Sequence, residues 1–167
     1  MTASPAAAPP QFPPAVLAEY QAILARYPER RAALMPTLWL AQREFGWLSP
    51  PVLEYVAALM ELPLAWVTSV ASFYTMYWKE PKGRWHIQVC RNLSCALRGA
   101  TDIQHALEAR LGIRDGGRTP DGCFSLEEVE CLASCGTAPV LQVNNADYHE
   151  RLDVARALAL IERLASE

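Results

Sequence analysis

Four cysteines in two close pairs constrain this chain more than any other feature. Cys90 and Cys95 form a C-x4-C pair, and Cys131 and Cys135 form a C-x3-C pair further along. Each pair follows a predicted strand and lies in a loop rich in Ser, Ala and Gly. Loops on a rigid scaffold are where ligands are usually placed, and thiolates bind iron and zinc. The spacing therefore predicts a metal or cluster site built from two loops.

The chemistry of that site has several interpretations. A [2Fe–2S] cluster takes four thiolates and accepts looser spacings than a single-metal site, so it is the favoured one. Structural zinc usually takes C-x2-C turns and stays open as the alternative. A thiol–disulfide oxidoreductase normally carries C-x-x-C, which is absent here. The fifth cysteine, Cys123, lies at a turn into a strand and is interpreted as a small apolar residue, with a reactive thiol as the alternative.

Composition excludes several other functions. The chain has 167 residues and a net charge of -3, without the basic patch that nucleic-acid binding requires. Apolar runs are interrupted well before about 20 residues, so no membrane insertion is predicted. The N-terminus has neither the basic nor the apolar region of a secretory signal. We therefore expect a cytoplasmic protein, where paired cysteines bind metal more often than they form disulfides.

The sequence predicts a tail and two domains. Residues 1–14 are rich in Pro and Ala, which predicts a disordered tail. Residues 15–80 have helical periodicity and predict a helical domain, in which Pro36 either kinks the second helix or marks its late start. Residues 81–167 open with a Pro-Lys-Gly linker and change to a period of two, which predicts a strand ending at Cys90.

The second domain has the order of a thioredoxin-like fold. The predicted strand at Cys90 is followed by a helix over 101–111, strands over 124–130 and 139–144, and a helix over 153–165. The fold class is therefore α+β, with an N-terminal helical bundle before a thioredoxin-like domain. Ala138-Pro139 lies where such folds often keep a cis proline.

Other residues near the cysteines have two interpretations each. His86 either donates to the site or simply packs in its strand. Arg91 and Arg98 either offset the charge of a bound cluster or are solvated. The aromatic run Phe73–Trp78 is interpreted mainly as core, with some rings forming a partner surface.

Longer motifs around the cysteines point to one family. Val89–Cys95, Val129–Pro139 and Val143-Asn144 resemble the small [2Fe–2S] subunit of NADH-quinone oxidoreductase (respiratory complex I), known as its E subunit. The likeness covers about residues 15–165 and includes four further stretches: Leu38–Gln42, Phe45–Leu48, Val70–Met76 and Thr119–Gly122.

The resemblance implies a cofactor, partners and a role. It implies that Cys90, Cys95, Cys131 and Cys135 bind a [2Fe–2S] cluster that exchanges electrons with the FMN of a flavoprotein subunit. That partner oxidises NADH, whereas this chain has no catalytic site for a substrate and lacks a Gly-rich phosphate loop. The complex would lie in the cytoplasm, peripheral to the inner membrane, and deliver electrons to quinone.

Three alternatives stay open at this stage. The family also serves NAD-linked hydrogenases and NAD-linked formate dehydrogenases, and the motifs do not decide among these hosts. A zinc-stabilised interaction module is the less favoured third interpretation of the same cysteines.

Overall fold

The computed structural model describes residues 9–167. The chain divides into two compact units, the first ending at Pro81 and the second running from Lys82 to Glu167. That division falls one residue after the predicted domain boundary. Across residues 9–167, no helix combines the length and hydropathy needed to cross a membrane.

The first unit is helical. Its helices are α1 (Pro14–Leu24), α2 (Leu34–Phe45), α3 (Pro50–Met60) and α4 (Leu64–Phe73). A short 3-10 helix, Arg30–Ala33, precedes α2, so Pro36 falls in the first turn of α2, where its missing N–H costs nothing. Pro36 thus marks a late helix start and introduces no kink. Ser49 caps α3 by accepting a hydrogen bond from the Val52 N–H at 3.4 Å.

Aromatic side chains at the end of α4 and in the segment that follows it divide between core and surface. Tyr77 is fully buried and donates its hydroxyl to the Met35 carbonyl at 2.9 Å. Burial raises the pKa of Tyr77 to about 12. Phe73, in contrast, is 79% exposed. Gln42 holds this segment on α2, because its amide accepts from the Trp78 N–H and donates to the Met76 carbonyl.

The predicted disordered tail is wrong at its C-terminal end. Residues 1–8 lie outside the described residues, but Phe12 is only 4% exposed. Its ring stacks on Phe45 with centroids 5.5 Å apart and meets Tyr55 edge-on at 5.2 Å. The Phe12 N–H also donates to the Tyr55 hydroxyl at 2.9 Å. Burial of the Phe12 ring in an aromatic cluster contributes more free energy than ordering its backbone costs in entropy. The Pro/Ala composition, which predicted disorder, does not reveal this contact.

The second unit is a mixed sheet with helices. Its elements are β1 (Trp85–Cys90), α5 (Leu93–Leu97), α6 (Ala100–Leu111), β2 (Phe124–Val129), β3 (Leu141–Val143), β4 (Asp147–His149) and α7 (Val154–Ser166). The strand order is β2-β1-β3-β4, with β1 parallel to β2 and the other pairs antiparallel. The predicted α+β class is confirmed. The short elements α5 and β4 were missed, because three to five residues carry too little periodicity.

β1 is buried along almost its whole length because it lies between β2 and β3. Its apolar residues Ile87 and Val89 pack in the core with Leu107 and Ile161. Its polar residues are buried too, and each must therefore find a partner. Gln88 does so by exchanging two hydrogen bonds with Asn145, at 2.8 and 3.1 Å.

His86 lies in a polar network that joins β1 to β2. Its ring nitrogens lie 2.8 Å from Ser125 Oγ and 3.0 Å from Glu127 Oε2. Ser125 Oγ also accepts a hydrogen bond from the Gly83 N–H at 2.9 Å. Gly83 is required there, since a Cβ would lie 2.3 Å from the Phe124 carbonyl carbon. The His86 ring thus contacts two neighbours on β2.

Candidate metal centre

Parallel pairing of β1 and β2 brings the two cysteine loops to one edge of the sheet. In the register, Cys90 lies opposite Val129, and Cys131 follows two residues later. Parallel strands end at the same edge, so the loops that leave them are neighbours. Cys90 Sγ lies 4.0 Å from the carbonyl oxygen of Glu130, the residue directly before Cys131. The structure therefore places side by side two loops that are distant in the sequence.

The first pair is buried. Cys90 is 3% exposed and Cys95 is 2% exposed. Asn92 caps α5 by accepting from the Leu93 N–H at 2.7 Å, and this short helix turns Cys95 towards the core. Burial, followed by its hydrogen bond with Cys90, raises the pKa of Cys95 to about 11, and the nearby Cys135 acts in the same direction. Without a metal, Cys95 is therefore a protonated thiol at neutral pH.

The second pair is exposed. Cys131 and Cys135 both lie at the surface, in a loop whose only regular structure is the 3-10 turn Cys135–Thr137. Ala133 has a left-handed backbone, with φ of 59°, and its N–H donates to Cys131 Sγ at 3.3 Å. Such a conformation costs alanine about 1 kcal/mol. It directs an amide at a sulfur, which is a contact that stabilises thiolates and tunes cluster potentials.

Glu150 holds the second loop from outside. Its carboxylate accepts hydrogen bonds from Ser134 Oγ and from Thr137 Oγ1, the latter at 2.7 Å. These two hydroxyls, Ser134 first, lower the pKa of Glu150. The Arg151 N–H adds a backbone bond to the Thr137 carbonyl at 2.7 Å. No sequence signal marks Glu150, because it acts on the loop only through the fold.

The charged residues near the loops have distinct partners. Arg91 forms an ion pair with Glu130, so its charge is already compensated. Arg98 instead donates Nε–H to the Ala138 carbonyl at 2.9 Å, and the Ala138-Pro139 peptide bond is cis. Neither arginine is therefore simply solvated.

The structure sets Cys123 apart from the other cysteines. It directly precedes β2, at the opposite end of that strand from Cys131, and packs against the apolar core. Six strand residues at about 3.3 Å each separate the two ends by about 20 Å. Cys123 is therefore outside the loop cluster.

The four loop thiols fit a cluster by chemistry and position. They supply only soft sulfur donors, as many as a [2Fe–2S] cluster needs, and their loops share one sheet edge. Cys95 lies near enough to Cys90 and Cys135 for both to raise its pKa, after the larger effect of burial. Over residues 9–167, no group of three or more His, Cys, Asp or Glu side chains surrounds a point that could hold a single metal ion. Loop placement and donor type mark these four thiols as the candidate ligands.

The fold and these loops define a small iron–sulfur protein on a thioredoxin-like scaffold. The chain belongs to the family of thioredoxin-like [2Fe-2S] ferredoxins, which it matches over residues 20–165. Membership confirms the predicted fold and the predicted [2Fe–2S] cofactor.

Relatives agree with the resemblance seen in the motifs. The chain is 51% identical over 144 residues to an E subunit of NADH-quinone oxidoreductase from Rhizobium meliloti, covering 86% of this chain and 85% of the relative. It is 48% identical over 142 residues to NADH-quinone oxidoreductase subunit 2 of Thermus thermophilus, covering 84% of this chain and 78% of the relative.

A crystal structure of NAD⁺-reducing [NiFe]-hydrogenase in the air-oxidized state has the same fold, with a TM-score of 0.70 and 26% identity. The match covers 80% of this chain but only 23% of the hydrogenase chain, so this chain spans about a quarter of that protein.

Proposed function

We propose that Cys90, Cys95, Cys131 and Cys135 hold one [2Fe–2S] cluster that exchanges single electrons with the FMN of a flavoprotein partner. The host would be an NADH-oxidising complex of the NADH-quinone oxidoreductase type, and this chain its electron-transfer subunit. The partner would carry the NADH and FMN sites.

The observation that carries the proposal is the parallel register of β1 and β2, which ends both strands beside a cysteine pair. The two relatives that share about half of their residues with this chain support the host, since both are named as subunits of NADH-quinone oxidoreductase.

The buried and the exposed cysteines would have different roles in such a site. When bound, the cluster supplies a one-electron carrier. Cys90 and Cys95 anchor it in the core and exclude water there. Cys131 and Cys135 lie at the surface, so the second loop is the side from which a redox partner would approach. The Ala133 N–H stabilises negative charge on Cys131 Sγ.

Anaerobic purification of the full chain tests the cofactor and its ligands. We expect two iron atoms and two sulfide ions per chain, visible absorption, and an EPR signal after reduction with dithionite. A colourless chain that holds stoichiometric zinc and gives no EPR signal would favour the zinc-stabilised interaction module instead.

The structural match to NAD⁺-reducing hydrogenase supports a second candidate host, an NAD-linked hydrogenase. An NAD-linked formate dehydrogenase is a further alternative host, in which this chain would have the same electron-transfer role. Affinity purification of the tagged chain from its source, followed by mass spectrometry, separates these hosts. Co-purification with quinone-reductase subunits supports the first host, whereas co-purification with a nickel-iron subunit or a formate-oxidising subunit supports the second.

Membrane fractionation tests where the complex lies in the cell. We expect the chain in the cytoplasm, attached to the inner membrane only through its partners. Within the chain, residues 15–80 would form a helical domain and residues 81–167 the cluster domain. Release of the chain from membranes when the complex is dissociated, without detergent, is the expected result.

A further inference from the structure

Two arginines line a cavity beside the second cysteine loop. The cavity has a volume of about 290 Å³, and Arg98, Arg151 and Cys135 all contribute to its wall. Arg98 is held in place because its Nε–H donates to the Ala138 carbonyl, and the terminal nitrogens of its guanidinium are further donors. The two arginines come from the C-terminal end of α5 and from the turn before α7, so only the fold brings them together.

Within residues 9–167, these two arginines lack the acidic partner that Arg91 has. Arg91 pairs with Glu130, and this pair is already neutral as a unit. In the part of the chain that the structure describes, neither Arg98 nor Arg151 is within ion-pair distance of an acidic side chain. Both guanidiniums keep a permanent positive charge, since arginine does not deprotonate in proteins.

We propose that Arg98, assisted by Arg151, compensates the negative charge of the cluster on the Cys135 side and raises its reduction potential. The inference rests on the proposed function. Reduction adds one electron from the partner to the iron centre, and no bond forms or breaks. A nearby positive charge stabilises the reduced form more than the oxidised form, because the reduced form carries one more negative charge.

Arg98 is expected to contribute more than Arg151. Glu150 adjoins Arg151 in sequence, and its pKa is lowered by the hydroxyls of Ser134 and Thr137 and, to a smaller extent, by the charge of Arg151. Glu150 therefore lowers the net positive field on this side of the cavity, although replacing Arg151 still removes the whole charge of that residue. Arg98 is expected to have the larger effect because its hydrogen bond to a backbone carbonyl fixes the guanidinium beside the cavity.

Redox titrations of the purified full chain, followed by EPR at low ionic strength, test the proposal. We expect Arg98→Gln to lower the potential most and Arg151→Gln to lower it less. At a fixed applied potential near the midpoint, Arg98→Gln should reduce the ratio of reduced to oxidised cluster several-fold; a tenfold change corresponds to about 59 mV for one electron. Arg98→Lys keeps the charge and should stay close to the unaltered chain.

The double variant Arg91→Gln/Glu130→Gln is the matched control, because it removes an arginine of the first loop together with its acidic partner and leaves the net charge near the site unchanged. Its shift should be smaller than that of Arg98→Gln or Arg151→Gln. High salt should shrink the shifts of the two cavity variants, since ions screen exposed charges.

Two results would overturn the inference. One is an unchanged potential in both cavity variants; the other is a shift in the Arg91→Gln/Glu130→Gln double variant as large as theirs. If Arg98→Gln does not retain iron, the comparison of Arg151→Gln with that double variant decides. Absence of any [2Fe–2S] EPR signal in the unaltered chain would refute the proposed function itself, which is a different failure.

Discussion

The two cysteine loops lie at one sheet edge but belong to different environments. The first contains a short helix and places Cys90 and Cys95 in the apolar core. The second, with Cys131 and Cys135, is exposed and is held by hydrogen bonds that its hydroxyls donate to the Glu150 carboxylate. In the proposed site the same residue type would therefore have two physical roles: buried thiols would contribute to folding as well as to ligation, whereas exposed thiols would contribute to ligation alone.

Replacing the loop cysteines by serine should have the largest effect of the variants considered. It separates the contribution of each thiol to cluster binding from its contribution to folding. Any of the four loop variants should lose the cluster, measured as iron content and EPR signal, because an alcohol is a poor ligand for iron at neutral pH. Only Cys90→Ser and Cys95→Ser should also destabilise the chain after iron removal, by about 1–3 kcal/mol, since they place a hydroxyl in the core. Thermal unfolding measures that difference.

Cys123→Ser is the control for this series. Cys123 lies at the far end of β2 and should keep the full iron content when it is replaced. Loss of the cluster in Cys123→Ser together with its retention in Cys131→Ser would contradict the ligand assignment.

In the iron-free chain, the exposed cysteines should react with an alkylating agent faster than the buried ones. Iodoacetamide at pH 8 should label Cys131 and Cys135 more than about tenfold faster than Cys95, as measured by mass spectrometry over time. Cys95 is buried, and a pKa of about 11 leaves about one thiolate in a thousand at that pH. Equal rates for the four thiols would show that the first loop opens readily without metal.

The pH dependence of stability tests the strands behind the loops. The pKa of Glu127 is lowered in the folded chain, mainly by its hydrogen bond with His86. Its contribution is therefore fully present above the ordinary carboxyl pKa of about 4.3 and is lost as pH falls through the lower folded value. Glu127→Gln should destabilise the chain by about 1–2 kcal/mol at pH 7 and by much less at pH 3, measured by urea unfolding.

Glu128→Gln is the matched control for this experiment, since it removes the neighbouring charge on the same strand but not the hydrogen bond with His86. A difference between Glu127→Gln and the unaltered chain that does not change with pH would contradict the role of the His86 contact.

The mildest variant concerns the exposed loop alone. Ala133→Gly relieves the left-handed strain of about 1 kcal/mol but makes the unfolded chain more flexible by a similar amount. The net change in unfolding free energy should stay below about 1 kcal/mol. The reduction potential should not change, because the N–H that bonds to Cys131 Sγ is kept. A large shift in potential would show that the alanine methyl group, and not the amide, matters to the site.

Local patterns predicted the elements that are long and bounded by clear signals. The helix opened by Ser49-Pro50 and the strand ending at Cys90 have the expected form. Failures occurred where the decisive contact is distant in sequence. Phe12 is ordered by Phe45 and Tyr55, and the polar residues of β1 are buried because strands flank it on both sides.

Residue type and spacing were enough to predict the donor chemistry: four thiols in two loops, each after a strand, with Cys123 interpreted as separate. The chain carries these properties before it folds. Folding was needed to establish which pair is buried, that Glu150 holds the exposed loop, and that Arg98 rather than Arg91 keeps an uncompensated charge beside Cys135. Burial and ion pairing depend on which segments the sheet brings together, and no local spacing encodes that.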